Sequence, residues 1–250
     1  MKLRICFSKT EAGRYLSHLD LARTMERSLR RAKAPLAFSE GFNPHPKLSF
    51  ASALAVGATG RREYLDAELA RRVDAEDFCR SLERAFPPAL ELVGAAEISA
   101  GSISLSAAVN LAIYRISAQV APEDWDKAGA GVEAVLAAAE LWRKPKVKPG
   151  KKPVPAKEVR GLIRRIEPIG AAVETDEAGD APGAERLRLT YTLETELCLR
   201  QDGQLQPQEL WGMIAAAGGF APEPPVSVCR EALLILRDGA VYSPMEGAGI

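Results

Sequence analysis

The only two histidines in this 250-residue chain are His18 and His45. An imidazole is the side chain best suited to general acid–base work near neutral pH. His18 stands in "YLSHLDL". Ser17 and Asp20 there have the spacing of a capping box, with Asp in place of the usual Glu or Gln, and Leu16 and Leu21 occupy the staple positions. Starting a helix accounts for those four residues but not for His18. At the first helical position His18 lies beside unsatisfied backbone N–H groups and the positive end of the helix dipole, where an anion binds readily. A helix-surface histidine with no task fits the same position, so both readings stay open.

His45 stands in "FSEGFNPHPKLSFA", between two prolines. Gly41 permits a positive φ, while Pro44 and Pro46 stiffen the chain and hold the residues before them extended. A turn of this kind displays Asn43, His45 and Lys47 in fixed positions. A purely conformational turn, with His45 satisfying backbone groups, is the alternative.

The helix between the two motifs is basic on one side. Arg23, Arg27 and Arg31 recur at i+4, Arg30 lies beside them, and Glu26 is the only acid inside the run. This is either a solvated face or a set of phosphate contacts. Lys9 and Arg14 fall in the loop after the first strand, at the other end of that helix. Whether His18 and His45 come together depends on how far the long loop folds back. A second basic stretch, "WRKPKVKPGKKPVPAKEVRGLIRR", holds ten Lys/Arg and one acid, Glu158. An exposed loop over 143–165 carrying Lys144, Lys146, Lys148, Lys151 and Lys152 is a footprint for phosphate backbones. A solvated linker, balanced by the acids at 174–180, is the alternative.

The elements that must position these groups follow from periodicity. "KLRICFS" alternates, with Leu3, Ile5 and Phe7 on one face of a strand. Leu21, Met25 and Leu29 then form a helical stripe. "KLSFASALAV" and "EYLDAEL" read as strands joined by "GATGRR". A helix over "DAEDFCRSLERAF", capped by Asp74 and stopped by Pro87-Pro88, leads to the strand "LELVGAAEI". The order βαββαβ then repeats less regularly, with a strand at "AVNLAIYRISAQV", helices at "PEDWDKAGAGVEAVLAAAE" and "QPQELWGMIAAAGG", a long alternating strand at "RLRLTYTLETELCLR", and a last strand or hairpin at "PVSVCREALLILRDG". The Gly/Ala/acid-rich residues 170–185 read as a flexible surface insertion. The expected fold is α+β: two ferredoxin-like βαββαβ units with antiparallel sheets, the second irregular, over residues 1–105 and 106–250.

Composition narrows the function. Apolar residues make up 47%, enough to bury a core, and 33 basic residues balance 33 acidic ones, so any pull on nucleic acid is local. No apolar run is long enough for a transmembrane helix, and the N-terminus lacks the apolar core of a signal peptide, so a cytoplasmic chain without membrane association is expected. Cys6, Cys79, Cys198 and Cys229 lie far apart, without the spacing of a zinc or iron–sulfur motif, and read as buried thiols. No cofactor or metal is expected.

The stretch from "FSK" through "YLSHLDL", the "RSLRRA" helix and "SEGFNPHPKLSF" resembles the bacterial radical-SAM-linked protein family, a domain of unknown function. Tyr15 stands where Phe is more usual. The motifs lie within residues 5–70. The resemblance implies a partner, a cobalamin-binding radical-SAM protein encoded nearby or fused, and supplies no catalytic residues. The missing cluster cysteines agree that this chain is not itself the radical-SAM catalyst. Tandem ferredoxin-like units also occur in the CRISPR repeat-processing endoribonucleases, which resemble this chain in architecture only. The leading expectation is therefore an accessory RNA-binding protein, without activity of its own, presenting tRNA or rRNA for modification. Lys9, Arg14, His18, Arg23, Arg27, Arg30, Asn43, His45 and Lys47 would form its site, with the 143–165 loop as a second grip. One alternative is a metal-independent endoribonuclease using His18 or His45. Another is a protein–protein adaptor without nucleic acid.

Overall fold

The computed structural model describes residues 1–99, 101–143, 156–177, 185–200, 203–224 and 226–246. The chain divides into two compact units, Met1–Ile113 with Cys229–Ile250, and Tyr114–Val228.

In the first unit the chain runs β1 (Lys2–Lys9), α1 (His18–Arg31), β2 (Leu48–Phe50), β3 (Ala58–Glu68), α2 (Ala75–Ala85), β4 (Leu90–Ile98) and a single helical turn, α3 (Leu105–Ala108). β1 lies between β4 and β3, antiparallel to both, and β2 adds to the far side of β3. Leu3, Ile5 and Phe7 of β1 pack with Leu21, Met25 and Leu29 of α1 and with Phe78 and Leu82 of α2 in one buried cluster, as the strand and helix periodicities require. α2 starts at Asp74, whose carboxylate accepts from the Asp77 amide at 2.9 Å. β2 keeps only three residues of the predicted strand, whereas β3 begins at Ala58 and takes up the "ATGRR" read as a connection.

The second unit is reached through β5 (Leu111–Val120). It then contains α4 (Trp125–Ala137), the short pair β6 (Trp142–Arg143) and β7 (Lys157–Glu158), the long hairpin β8 (Ile163–Glu177) and β9 (Glu185–Cys198), and α5 (Pro207–Gly218). Residues 170–177, expected as part of a flexible insertion, are paired strand: Gly170 to Glu177 lie opposite Thr192 to Glu185. The alternation of "RLRLTYTL" supplies a full-length partner, and cross-strand pairing overrides the Gly/Ala-rich composition.

The chain returns to the first unit through β10 (Val226–Arg237) and β11 (Ala240–Tyr242). Asp238 and Gly239 join them with φ of 51° and 81°, as a two-residue type I′ turn demands. Residues 229–250, which the sequence pattern placed with the second unit, cluster with the first because β10 pairs with β3. The class is mixed α+β with a mostly antiparallel sheet.

Candidate nucleic-acid interface

Ser17 caps α1, its hydroxyl accepting from the Asp20 amide at 3.2 Å and donating to the Asp20 carboxylate at 2.6 Å. His18 is exposed at the first position, with its ring centroid 5.3 Å from that of Phe50, which packs edge-on against Phe7. Beneath this helix start lies Lys9. Its ammonium is buried and donates to the carbonyls of Arg14 and Leu16 at 3.0 and 3.2 Å, so it braces the loop leading into α1 and is turned away from solvent. Burial is the main cause that lowers its pKa; Arg230 pushes the same way and Glu63 opposes. Arg14 bonds the Gly57 carbonyl and Glu11, and lies 5.6 Å over the Tyr15 ring.

Arg23, Arg27 and Arg30, at i, i+4 and i+7, share one exposed face of α1. Arg23 has Asp20 at 3.9 Å, Arg27 reaches the Thr24 hydroxyl, and Arg30 forks onto Glu26 at 2.8 and 2.9 Å. The Arg30 guanidinium also lies 5.4 Å over the Phe38 ring. That contact joins the arginine face to the turn. Phe38 bridges to Pro46, the Ser39 amide donates to the His45 carbonyl at 2.8 Å, and the His45 amide donates to the Ser39 hydroxyl at 3.0 Å. Gly41 has φ +121°, and Phe42, Asn43 and His45 stand exposed at the tip. Lys47 is exposed and pairs with Glu68 at 3.4 Å.

The Arg30–Phe38 contact and the Phe38–Pro46 bridge set the C-terminal end of the arginine face beside the turn that carries Asn43 and His45. His18 and Arg14 lie at the other end of α1, whose 14 residues span about 21 Å at 1.5 Å per residue.

The described flanks of the second basic stretch are engaged within their own unit. Arg143 pairs with Glu209 at 2.9 Å, and Arg160 clasps the carbonyls of Leu136 and Ala138 at the end of α4 and of Ile163. Arg164 and Arg165 both reach Glu196 at 3.0 Å. Lys144, Lys146, Lys148, Lys151 and Lys152 lie outside the described residues.

Two buried ion pairs escape a reading by periodicity. Arg4 forks onto Asp66 at 2.7 and 2.9 Å and donates to the Pro244 carbonyl at 2.8 Å. Arg230 bonds Glu63, with its remaining donors on the carbonyls of Ala53 and Ser52 at 3.1 and 3.2 Å. The available signal was a charge inside an otherwise apolar strand, Arg4 in "LRICF" and Asp66 in "YLDAE". Burial pushes the Cys6 thiol up to about 11 and also raises Cys79 and Cys229, so these thiols stay protonated at neutral pH. Among the described residues, no group of three or more His, Cys, Asp or Glu could hold a metal ion, and no helix is long and apolar enough to cross a membrane.

An α+β fold with an antiparallel sheet and an exposed basic–aromatic surface is the class these observations define. Residues 2–207 match the model of a bacterial family described as "Uncharacterized protein conserved in bacteria (DUF2344)", and the chain belongs to that family. No curated protein matches it. Among solved structures the chain is similar to one described as "Crystal Structure of a Cbf5-Nop10-Gar1 Complex", at 11% identity and a TM-score of 0.46. The similarity covers 92% of this chain and 48% of that one, so the chain spans about half its length.

Proposed function

We propose that this protein is an accessory RNA-binding protein, built from two ferredoxin-like units, that holds single-stranded RNA for a radical-SAM partner in tRNA or rRNA modification. The observation that carries the RNA reading is the Arg30–Phe38 contact. It supports a surface on which the last arginine of an exposed row adjoins the turn that carries the fully exposed Phe42 with Asn43, His45 and Lys47. A basic track beside free aromatic faces is the combination that grips single strands, through phosphates and base stacking. The radical-SAM partner is supported by the "YLSHLDL" and "GFNPHPKLSF" motifs alone.

Binding of a labelled single-stranded RNA oligonucleotide, followed by fluorescence anisotropy at several salt concentrations, tests this. Arg23→Gln and Arg27→Gln should each weaken binding and reduce the log–log salt slope by about 0.7. Phe42→Ala should weaken binding by about 1–3 kcal/mol with the slope unchanged, because stacking releases no counterions. Neutralising Lys144, Lys146, Lys148, Lys151 and Lys152 tests the second grip in the same way. Parent-like affinity in all these variants would reject the interface. Cleavage of the RNA by the isolated chain, lost on His18→Ala or His45→Ala, would instead favour an endoribonuclease.

A further inference from the structure

The alternation that turns Leu3, Ile5 and Phe7 into the core turns Arg4 to the other face of β1. Arg4 stands directly opposite Asp66 of β3, and both are buried. Its Nε and one Nη bond the two carboxylate oxygens of Asp66, and the other Nη bonds the Pro244 carbonyl. Those bonds use three of the five N–H groups of a guanidinium. One N–H on each terminal nitrogen is left without an acceptor among the described residues. Lys2 also reaches Asp66, at 3.4 Å, so two cations share one carboxylate and a net positive charge remains.

A cavity of about 220 Å3 opens beside Arg4, wholly within the first unit. Ile103, Ala107, Ala108, Ile235 and Leu236 supply its apolar walls, Arg237 joins Arg4 in its lining, and none of the lining residues is acidic. The ion pair of Arg237 with Asp238, at 3.6 Å, is solvent-exposed and neutralises little. One wall is fixed in advance. The Asn110 side-chain amide donates to the Leu236 carbonyl at 2.9 Å and accepts from the Leu236 amide at 2.7 Å, as a neighbouring strand would. Ile103 is 56% exposed, an apolar side chain that the body of a ligand would cover. A cavity of about 150 Å3 accepts benzene, so this one has room for a ring and a carboxylate.

We propose that this cavity binds a small carboxylic acid whose apolar body is about the size of one aromatic ring. Its carboxylate accepts from the free N–H groups of Arg4, and its body lies against Ile103, Ala107 and Ala108. A mostly apolar lining with a few fixed polar groups is the usual make-up of a small-molecule site. A planar guanidinium matches a carboxylate in shape and charge. An inorganic anion would leave the apolar walls wet, and a neutral ring would leave buried donors without a charged acceptor. The proposal is independent of the RNA reading, which uses none of the residues of this cavity.

The test titrates the full chain with benzoate, with its neutral isostere benzamide and with inorganic phosphate, and follows backbone amide chemical shifts by NMR. The expected result is saturable binding of benzoate, with shifts centred on residues 102–110 and 235–237. Benzoate should bind about tenfold or more tightly than benzamide, because hydrogen bonds to a charged group are the stronger ones. Ala108→Phe, which fills the cavity and leaves Arg4 in place, should abolish the binding. Arg4→Met/Asp66→Leu removes both members of the buried pair and so leaves neither charge unpaired. In that double variant the preference for benzoate over benzamide should disappear; Ala108→Phe stands in if it unfolds. Equal binding of benzoate and benzamide, an unchanged benzoate affinity in Ala108→Phe, or shifts mapping elsewhere would overturn the proposal. So would phosphate binding as tight as that of benzoate, which would make this a plain anion site. Failure of benzoate to saturate would assign the cavity to water alone.

Discussion

Arg230 Nε lies 2.7 Å from Glu63 Oε1, although 167 residues separate the two in the chain. Both side chains are buried, and Glu63 is also the acid whose charge acts on the buried Lys9 ammonium. Two cations thus depend on one carboxylate in a region water does not reach. Removing one partner of such a pair leaves an uncompensated buried charge. Glu63→Ala should therefore lower the stability of the chain by about 3–5 kcal/mol in urea unfolding. The double variant Glu63→Ala/Arg230→Ala should lose less than the sum of its single changes. Additive losses would mean that the pair is not coupled.

The helices of the second unit carry a sharper steric prediction. A Cβ on Gly131 of α4 would lie 2.3 Å from the Ile214 carbonyl oxygen of α5, and one on Gly218 of α5 would lie 2.2 Å from the Lys127 carbonyl oxygen. Backbone atoms cannot rotate away, so Gly131→Ala must push α4 and α5 apart. Overpacking of this kind costs about 1–3 kcal/mol, more than the roughly 1 kcal/mol gained in helix propensity. Gly212 also lies inside α5 but has open space around its Cβ position. Gly212→Ala should stabilise by up to about 1 kcal/mol. Thermal unfolding of the two variants should move in opposite directions.

What could be read from the sequence was local. Ser17 and Asp74 start α1 and α2 where their capping chemistry demands, and the Leu3/Ile5/Phe7 and Leu21/Met25/Leu29 stripes meet in one core. What could not be read was pairing over long separations. Nothing near Glu63 points to Arg230, and the Gly/Ala/acid composition of residues 170–177 conceals that Val173 faces Leu189 across a hairpin. The arginine face of α1 and the "GFNPHP" turn were each visible alone. Their junction at Arg30 and Phe38 is a tertiary contact that no spacing rule supplies. Reading Lys9 as a loop residue sets it among the surface cations, whereas it ends β1 on the same side as Leu3, Ile5 and Phe7 and is buried.

Alkaline pH should destabilise the first unit in a defined window. Cross-strand neighbours Cys6 and Tyr64 are raised by burial from 9.0 to about 11 and from 10.0 to about 12. Between those limits the unfolded chain has released protons that the folded chain retains, so stability falls as pH rises. Lys9 acts in the opposite sense. Its folded pKa is depressed below 10.5, so the folded chain releases its proton first and stability rises toward that pH. The melting temperature should decline from pH 9 to 11, less steeply in Cys6→Ala and more steeply in Lys9→Met. A flat parent profile would contradict the two raised groups.

The turn at Gly41–Lys47 separates architecture from use. Gly41 holds φ +121° with nothing within 4 Å of its Cβ position, so the obstacle to a side chain is the backbone conformation and not a clash. Gly41→Val places a β-branched residue in a region L-residues rarely adopt and should cost about 1–3 kcal/mol locally. The cost falls on the turn, because residues 41–45 are exposed and the core cluster contains none of them. Phe38 would lose its fixed partner in Pro46, and the Arg30 contact would loosen with it. His45 is exposed, and the bonds that tie it to Ser39 use its backbone amide and carbonyl. His45→Ala should therefore leave stability within about 0.5 kcal/mol yet weaken binding of single-stranded RNA. Gly41→Val should weaken that binding further while keeping the far-ultraviolet circular dichroism of the parent. Unfolding of His45→Ala, or parent-like RNA affinity in both variants, would make the turn a structural clasp and remove it from the interface.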